Sequence, residues 1–168
     1  GSVGSIILNG GTFHCISTRA TFPIGNALQI AADTRFSSAA TTFAFGSSSV
    51  TGSGKITFTN TTAASAFLRF NGAGMTVAND IDLTSNTAGG NAQLDLWSTN
   101  GLAPQIFTGV FPGLEPSGGR PHLRDRVAIG VGGQNTYKGT TSNNGGFLGF
   151  GSDSIGSHPN IVSGPIGT

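Results

Sequence analysis

Apolar residues recur along this chain as pairs separated by a single position: Phe13/Cys15, Leu28/Ile30, Phe43/Phe45, Ile56/Phe58, Leu68/Phe70, Ile81/Leu83 and Leu94/Leu96. From Leu28 onward each pair begins 12 to 15 residues after the one before. Successive side chains of a strand point to opposite faces, so both members of a pair share one face. The pattern continues through Val127, Ile129 and Val131 and again through Leu148 and Phe150. Gly, Asn, Ser and Thr fill the gaps, and each has its own reason to favour a turn. Nowhere do apolar residues hold an i, i+3, i+4, i+7 stripe for two turns, so the spacing predicts short strands and no helix.

Short strands at this spacing suit a sandwich, a barrel or a solenoid. Two features favour the solenoid. The segments resemble one another, and the Gly-rich lead of 52–54 into Ile56 and Phe58 is repeated near the C-terminal end. Asn-Gly hairpin signals are few (9–10, 71–72 and 100–101), too few for a meander of a dozen strands. The expected fold is therefore all-β: a parallel, right-handed β-helix over 1–168 as one domain, with coils of roughly 20–25 residues stacked along one axis. A capsid-like or phage-fibre sandwich is the competing architecture, and antiparallel ladders would favour it.

One stretch breaks the pattern. Residues 111–126 hold three of the seven prolines and three of the eight basic residues. Proline cannot donate to a ladder, so a loop insertion leaving the coil is predicted there. Within it Arg120, His122, Arg124, Asp125 and Arg126 form a candidate surface for an anionic glycan or a neighbour's carboxylates. The alternative is a solvated loop with a local Arg–Asp pair worth under about 1 kcal/mol.

Composition agrees with a solenoid. Charged residues make up 9% of the chain, with one Glu and two Lys, so there is little to solvate the outside of helices. Hydrophobic residues reach 36% and include 12 Phe, too many for a chain that buries nothing. A net charge of +1 gives no general attraction for nucleic acid or an anionic membrane. No apolar run is long enough for a membrane span, so no membrane insertion is expected. The lone Cys15 reads as a small core residue. The chain starts without Met and closes on 163–168 like a repeat interrupted in mid-motif, which suggests a processed product or a piece of a longer chain.

Candidate chemistry is sparse. Asp80 and Asp82 lie two apart and could hold a cation or act as an acid/base pair, but they equally fit an outward polar face opposite Ile81 and Leu83. Trp97 follows Leu94 and Leu96 out of phase and should face away from them, either as a sugar contact or under a covering loop. Asn60-Thr61-Thr62 matches a glycosylation signal. No nucleophile elbow, phosphate loop, dinucleotide fingerprint or Cys/His metal spacing is present, so no catalytic, cofactor or metal residue is assigned and no enzyme is expected.

Residues 133–150 combine a compact turn (Asn135, Thr136, Tyr137, Lys138, Gly139, Thr140), a polar Gly/Asn hinge and the short apolar strand Phe147, Leu148, Phe150. This stretch resembles one unit of the passenger-associated strand repeat of autotransporters, whose usual core is Gly-x-Asn-Thr-Tyr-x-Gly-Thr-Thr. The resemblance is closest over 127–168, looser over 50–97 and faint over 1–49, and it breaks at 111–126. It implies a bacterial cell-surface or extracellular β-helix and a structural corner role for Asn135, Thr136, Tyr137, Gly139 and Thr140. The function expected from it is a non-catalytic passenger or a fibre subunit that self-associates end to end. A carbohydrate-binding or polysaccharide-cleaving β-helix, with its groove near 111–126, is the alternative.

Overall fold

The computed structural model describes residues 4–16, 21–38, 42–46, 50–72, 74–86, 91–97, 105–110, 120–124, 128–131, 142–143, 147–150, 155–157 and 160–163. Among these there are strands and no helix. In chain order the first strands are β1 (Ile6–Cys15), β2 (Thr21–Ile24), β3 (Leu28–Ser38), β4 (Thr42–Phe45), β5 (Val50–Thr51) and β6 (Ile56–Asn60). The middle of the chain supplies β7 (Ser65–Phe70), β8 (Thr76–Val77), β9 (Ile81–Ser85), β10 (Asn91–Trp97) and β11 (Gln105–Phe107). After these come β12 (Arg120–Arg124), β13 (Ala128–Val131), β14 (Ser142–Asn143), β15 (Phe147–Phe150), β16 (Ile155–Ser157) and β17 (Asn160–Ser163).

Three parallel sheets account for β1 to β15. The first runs β1-β3-β6-β9 with β5 also on β3, the second β14-β12-β10-β7-β4-β2, and the third β15-β13-β11-β8. Strands inside each sheet pair with strands one coil before and after them, so the chain winds as a β-solenoid, as the alternation predicts. The sandwich alternative fails on this point, since among the described residues only β16 and β17 pair antiparallel. Coils advance by 22 residues near the start, where Asp33 Oδ1 accepts from Lys55 N, and by 25 or 26 further on.

The long strands β1 and β3 each pass through two faces of a coil. In the next coil the path is broken into β5 and β6, whose residues stay in register with the two halves of β3. The break is made by a turn at Gly52, which has φ 95°. A Cβ there would lie 2.1 Å from Ile30 O, so only glycine lets the turn press onto the coil beneath.

Inward positions form columns along the stack. Phe13, Phe36, Phe58 and Leu83 share one register position in the first sheet. Phe22, Phe43, Leu68 and Leu94 share another in the second sheet, and Ile24, Phe45, Phe70 and Leu96 a third. Phe36, Phe43, Phe45, Phe58, Phe70 and Phe107 are fully buried. Their rings meet edge-on or tilted, with Phe45–Phe70 centroids 5.1 Å apart and Phe36–Phe45 5.2 Å. Such pairs add about 0.5–1.5 kcal/mol each beyond the area they bury. Every apolar pair of the sequence from Leu28/Ile30 to Leu94/Leu96 lies in this core, and Cys15 is buried as expected.

Corners are held by polar side chains that reach along the stack. Asn79 Nδ2 donates to Gly52 O and Gly54 O at 3.1 and 2.8 Å, and Gln105 Nε2 donates to Phe70 O and Gly72 O. Asp80 Oδ1 accepts from Val110 N, repeating one coil pair later what Asp33 does for Lys55 N. Corner amides and carboxylates thus satisfy backbone groups that the turning chain takes out of the ladder.

Candidate functional site

The second sheet brings several of the residues singled out in the sequence onto neighbouring strands. Alternation against the inward pair Leu94 and Leu96 leaves Gln93 and Asp95 on the other face of β10. The register then sets Arg120 beside Gln93, His122 beside Asp95 and Arg124 beside Trp97. Residues read as separate candidates, Trp97 and Arg120–Arg124, therefore lie on neighbouring paired strands.

Five residues of the stretch expected to form a loop insertion, 111–126, belong to a strand. Arg120–Arg124 is a strand, paired in parallel with β10 on one side and β14 on the other. Pro121 and Leu123 stand in register with Leu94 and Leu96, two residues of the buried columns. Pro121 costs the ladder one donor, which the remaining residues of the strand tolerate. Residues 111–119, Asp125 and Arg126 lie outside the described residues, as do Asn135, Thr136, Tyr137, Gly139 and Thr140.

Asp95 is the residue that sequence reading missed. It sits on the outward alternation yet is 0% exposed, and so are Ala44 at 2% and Thr42 at 6% nearby on β4. This side of the sheet is therefore shielded around Asp95. Arg69, in register on β7, donates from Nε to Asp95 Oδ2 at 2.8 Å and brings Nη2 to 2.7 Å of the same oxygen. Asp95 Oδ1 is buried and has no hydrogen-bond partner among the described residues. An aspartate between two leucines reads as an ordinary solvated position, and only the register discloses its neighbours.

A second polar surface lies at the corner between the first two faces of the coil. Gly11, Thr12, Asp33, Thr34, Arg35, Lys55 and Thr57 line an open groove of about 340 Å³. Its Asp33 is already engaged with the Lys55 amide.

The remaining candidates have structural settings. Asp80 is exposed and bonded to Val110 N, Asp82 is half-buried beside Thr57, and Ile81 and Leu83 are buried, so the outward-face reading holds. Asn60 is fully buried, with Nδ2 donating to Ala64 O and Oδ1 accepting from Thr62 N, so the glycosylation signal is folded away. His14 Nδ1 is hydrogen-bonded to Ser37 Oγ at 2.6 Å. Among the described residues no three His, Cys, Asp or Glu side chains converge as a metal site would require.

Comparison with family models, with curated proteins and with solved structures finds no match for this chain. Its function is accordingly argued from its own residues.

Proposed function

We propose that this chain is a structural solenoid of the cell exterior, a β-helical passenger or fibre segment that associates end to end. The observation that carries the reading is the state of the first coil. Strand β1 pairs on one side only, with β3, leaving one edge of a ten-residue strand unpaired among the described residues. Its inward residues Ile6, Leu8 and Phe13, with Phe22 of β2, are only partly buried, whereas their equivalents one coil on are fully covered. An open edge over a half-covered apolar core is a template for another strand. Pro23 interrupts the donors of the neighbouring edge strand β2, which leaves β1 as the competent edge. A partner's terminal coil, or a further coil of a longer chain, would complete both the ladder and the phenyl column. The exterior location rests on the repeat resemblance at 133–150 together with the scarcity of charge.

Sedimentation velocity and negative-stain imaging at micromolar concentration test this. Wild type should form rods or oligomers whose length grows with concentration. Leu8→Lys should remain folded, because a lysine at an open end can lead its ammonium into water, and should sediment as a monomer. A monomeric wild type would overturn the end-to-end reading.

A second reading, contact with a glycan, draws on the second sheet, where Trp97 and Arg124 are in register on neighbouring strands. An aromatic beside a guanidinium suits an acidic sugar. Loss of binding on a glycan array in Arg124→Ala, with stacking intact, would support it.

A further inference from the structure

The groove at the corner of the first sheet is assembled from three successive coils. Gly11 and Thr12 come from β1, Asp33, Thr34 and Arg35 from β3, and Lys55 and Thr57 from the coil that carries β6. Register fixes their order. Thr12 pairs with Arg35 and Arg35 with Thr57, so Arg35 stands between two threonines on strands about 4.8 Å apart. We propose that this groove binds an acidic saccharide, with a sugar carboxylate on Arg35 and Lys55 and sugar hydroxyls on Asp33, Thr12 and Thr57. The inference goes beyond the structural role. It depends neither on end-to-end stacking nor on the contact at Trp97 and Arg124, which belongs to another sheet.

Three observations carry it. First, the cations are uncommitted. Charged residues make up 9% of the chain, yet Asp33, Arg35 and Lys55 meet at this one groove. Among the described residues neither Arg35 nor Lys55 forms an ion pair, since the one such pair there joins Arg69 and Asp95. Arg35 is exposed and Lys55 half-buried, so both can reach a ligand. A planar guanidinium matches a carboxylate through two parallel bonds, and an ammonium adds a point charge.

Second, the groove offers acceptors as well as donors. Asp33 Oδ1 accepts from Lys55 N at 2.8 Å, which holds the carboxylate at the corner and leaves its exposed Oδ2 to accept from a ligand. The hydroxyls of Thr12 and Thr57 can donate or accept. Thr34 takes no part, because it is buried and donates to Ala32 O. A bare anion would be repelled by Asp33, whereas a ligand that carries hydroxyls beside its negative group makes use of it. Third, size and lining exclude other ligands. A volume of about 340 Å³ lies at the small end of the range of about 300–1,000 Å³ for small-ligand sites. No aromatic or large aliphatic side chain lines the groove, so a nucleobase has nothing to stack on and an apolar peptide nothing to pack against.

The test is calorimetric titration of the intact chain with trigalacturonate, its methyl ester, sodium acetate and short single-stranded DNA. Trigalacturonate should bind, and the other three should not at the same concentrations. Arg35→Gln should weaken binding at least about 10-fold, as loss of a charge-assisted pair requires, and Lys55→Gln should act in the same direction. Asp33→Asn separates this site from general attraction of charge. It keeps an Oδ1 acceptor for Lys55 N and makes the groove more positive, so charge alone would tighten binding. Loss of the hydroxyl acceptor should instead weaken it about 5-fold. Arg124→Ala should leave the affinity unchanged. Circular dichroism and sedimentation on the same samples report folding and stacking separately, so this inference and the structural reading can fail independently. No binding of trigalacturonate, equal binding of the ester or of DNA, unchanged affinity in the folded Arg35 and Lys55 variants, or tighter binding in Asp33→Asn would each overturn it. Loss confined to Arg124→Ala would overturn it too, by moving the contact to the second sheet.

Discussion

Replacing Arg69 by Ala should destabilise the solenoid more than loss of any exposed charge. The reason is geometric. Arg69 places Nε and Nη2 at 2.8 and 2.7 Å from Asp95 Oδ2, with the arginine side chain 17% exposed and the aspartate at 0%. An exposed pair of this kind is worth about 0–1 kcal/mol, because water and salt screen it and two long side chains must be held still. A buried pair behaves differently: removing one partner strands the other charge, at about 3–5 kcal/mol. Asp95 cannot turn to water, and its second oxygen already lacks a partner among the described residues, so the larger figure applies.

Against a typical total stability of about 5–15 kcal/mol, that loss would be visible as a lowered urea midpoint or as partial unfolding of the coils around β7 and β10. The control is the double variant Arg69→Met with Asp95→Leu. Exchanging a buried ion pair for apolar groups of similar size is often neutral, so the double variant should recover most of the loss. Equilibrium denaturation followed by circular dichroism, with hydrogen exchange to locate the opening, measures both. A cost below about 1 kcal/mol for Arg69→Ala would mean that Asp95 is solvated in solution, contrary to its burial here.

Other substitutions probe the winding itself. Gly52→Ala forces a Cβ to within 2.1 Å of Ile30 O at φ 95°, so beyond a strain of about 1–3 kcal/mol the turn must lift away from the coil beneath. A melting temperature unchanged by this variant would contradict the close approach. Phe45→Ala removes a ring packed against Phe36, Phe43 and Phe70, and should cost about 3–5 kcal/mol in urea unfolding. Cys15 is buried in the core, so its thiol should react with a thiol reagent only after denaturant is added, and immediate titration in native buffer would contradict its placement.

How much of this was readable beforehand depends on which physical signal each residue carries. Leu28/Ile30, Phe43/Phe45 and Ile56/Phe58 announce themselves because a strand with one buried face must alternate. Parallel winding was legible from the scarcity of hairpin turns, since a chain that rarely reverses must return by going round. Arg120–Arg124 was not legible, because Pro121, His122 and two arginines outweigh a two-residue alternation until Leu94 and Leu96 are known to be its neighbours. Asn79 and Gln105 read as ordinary loop polar residues, but the corners turn them inward to bind carbonyls of earlier coils.

Register explains why Asp95 escaped notice and why it matters. Along the sequence its neighbours are Leu94 and Leu96, and they say only that it lies on the far face of the strand. Across the sheet its neighbours are Arg69 and His122, each contributed by a different coil. A parallel solenoid brings residues one coil apart to about 4.8 Å, so its chemistry is written along columns rather than along the chain. The inward columns here are phenyl and aliphatic and do the holding. Of the outward residues, Arg69 and Asp95 stand one coil apart and meet as an ion pair. Burial of Asp95 carries a desolvation cost that Thr or Ser at the same position would avoid, and the Arg69 guanidinium one coil earlier is the group that offsets it.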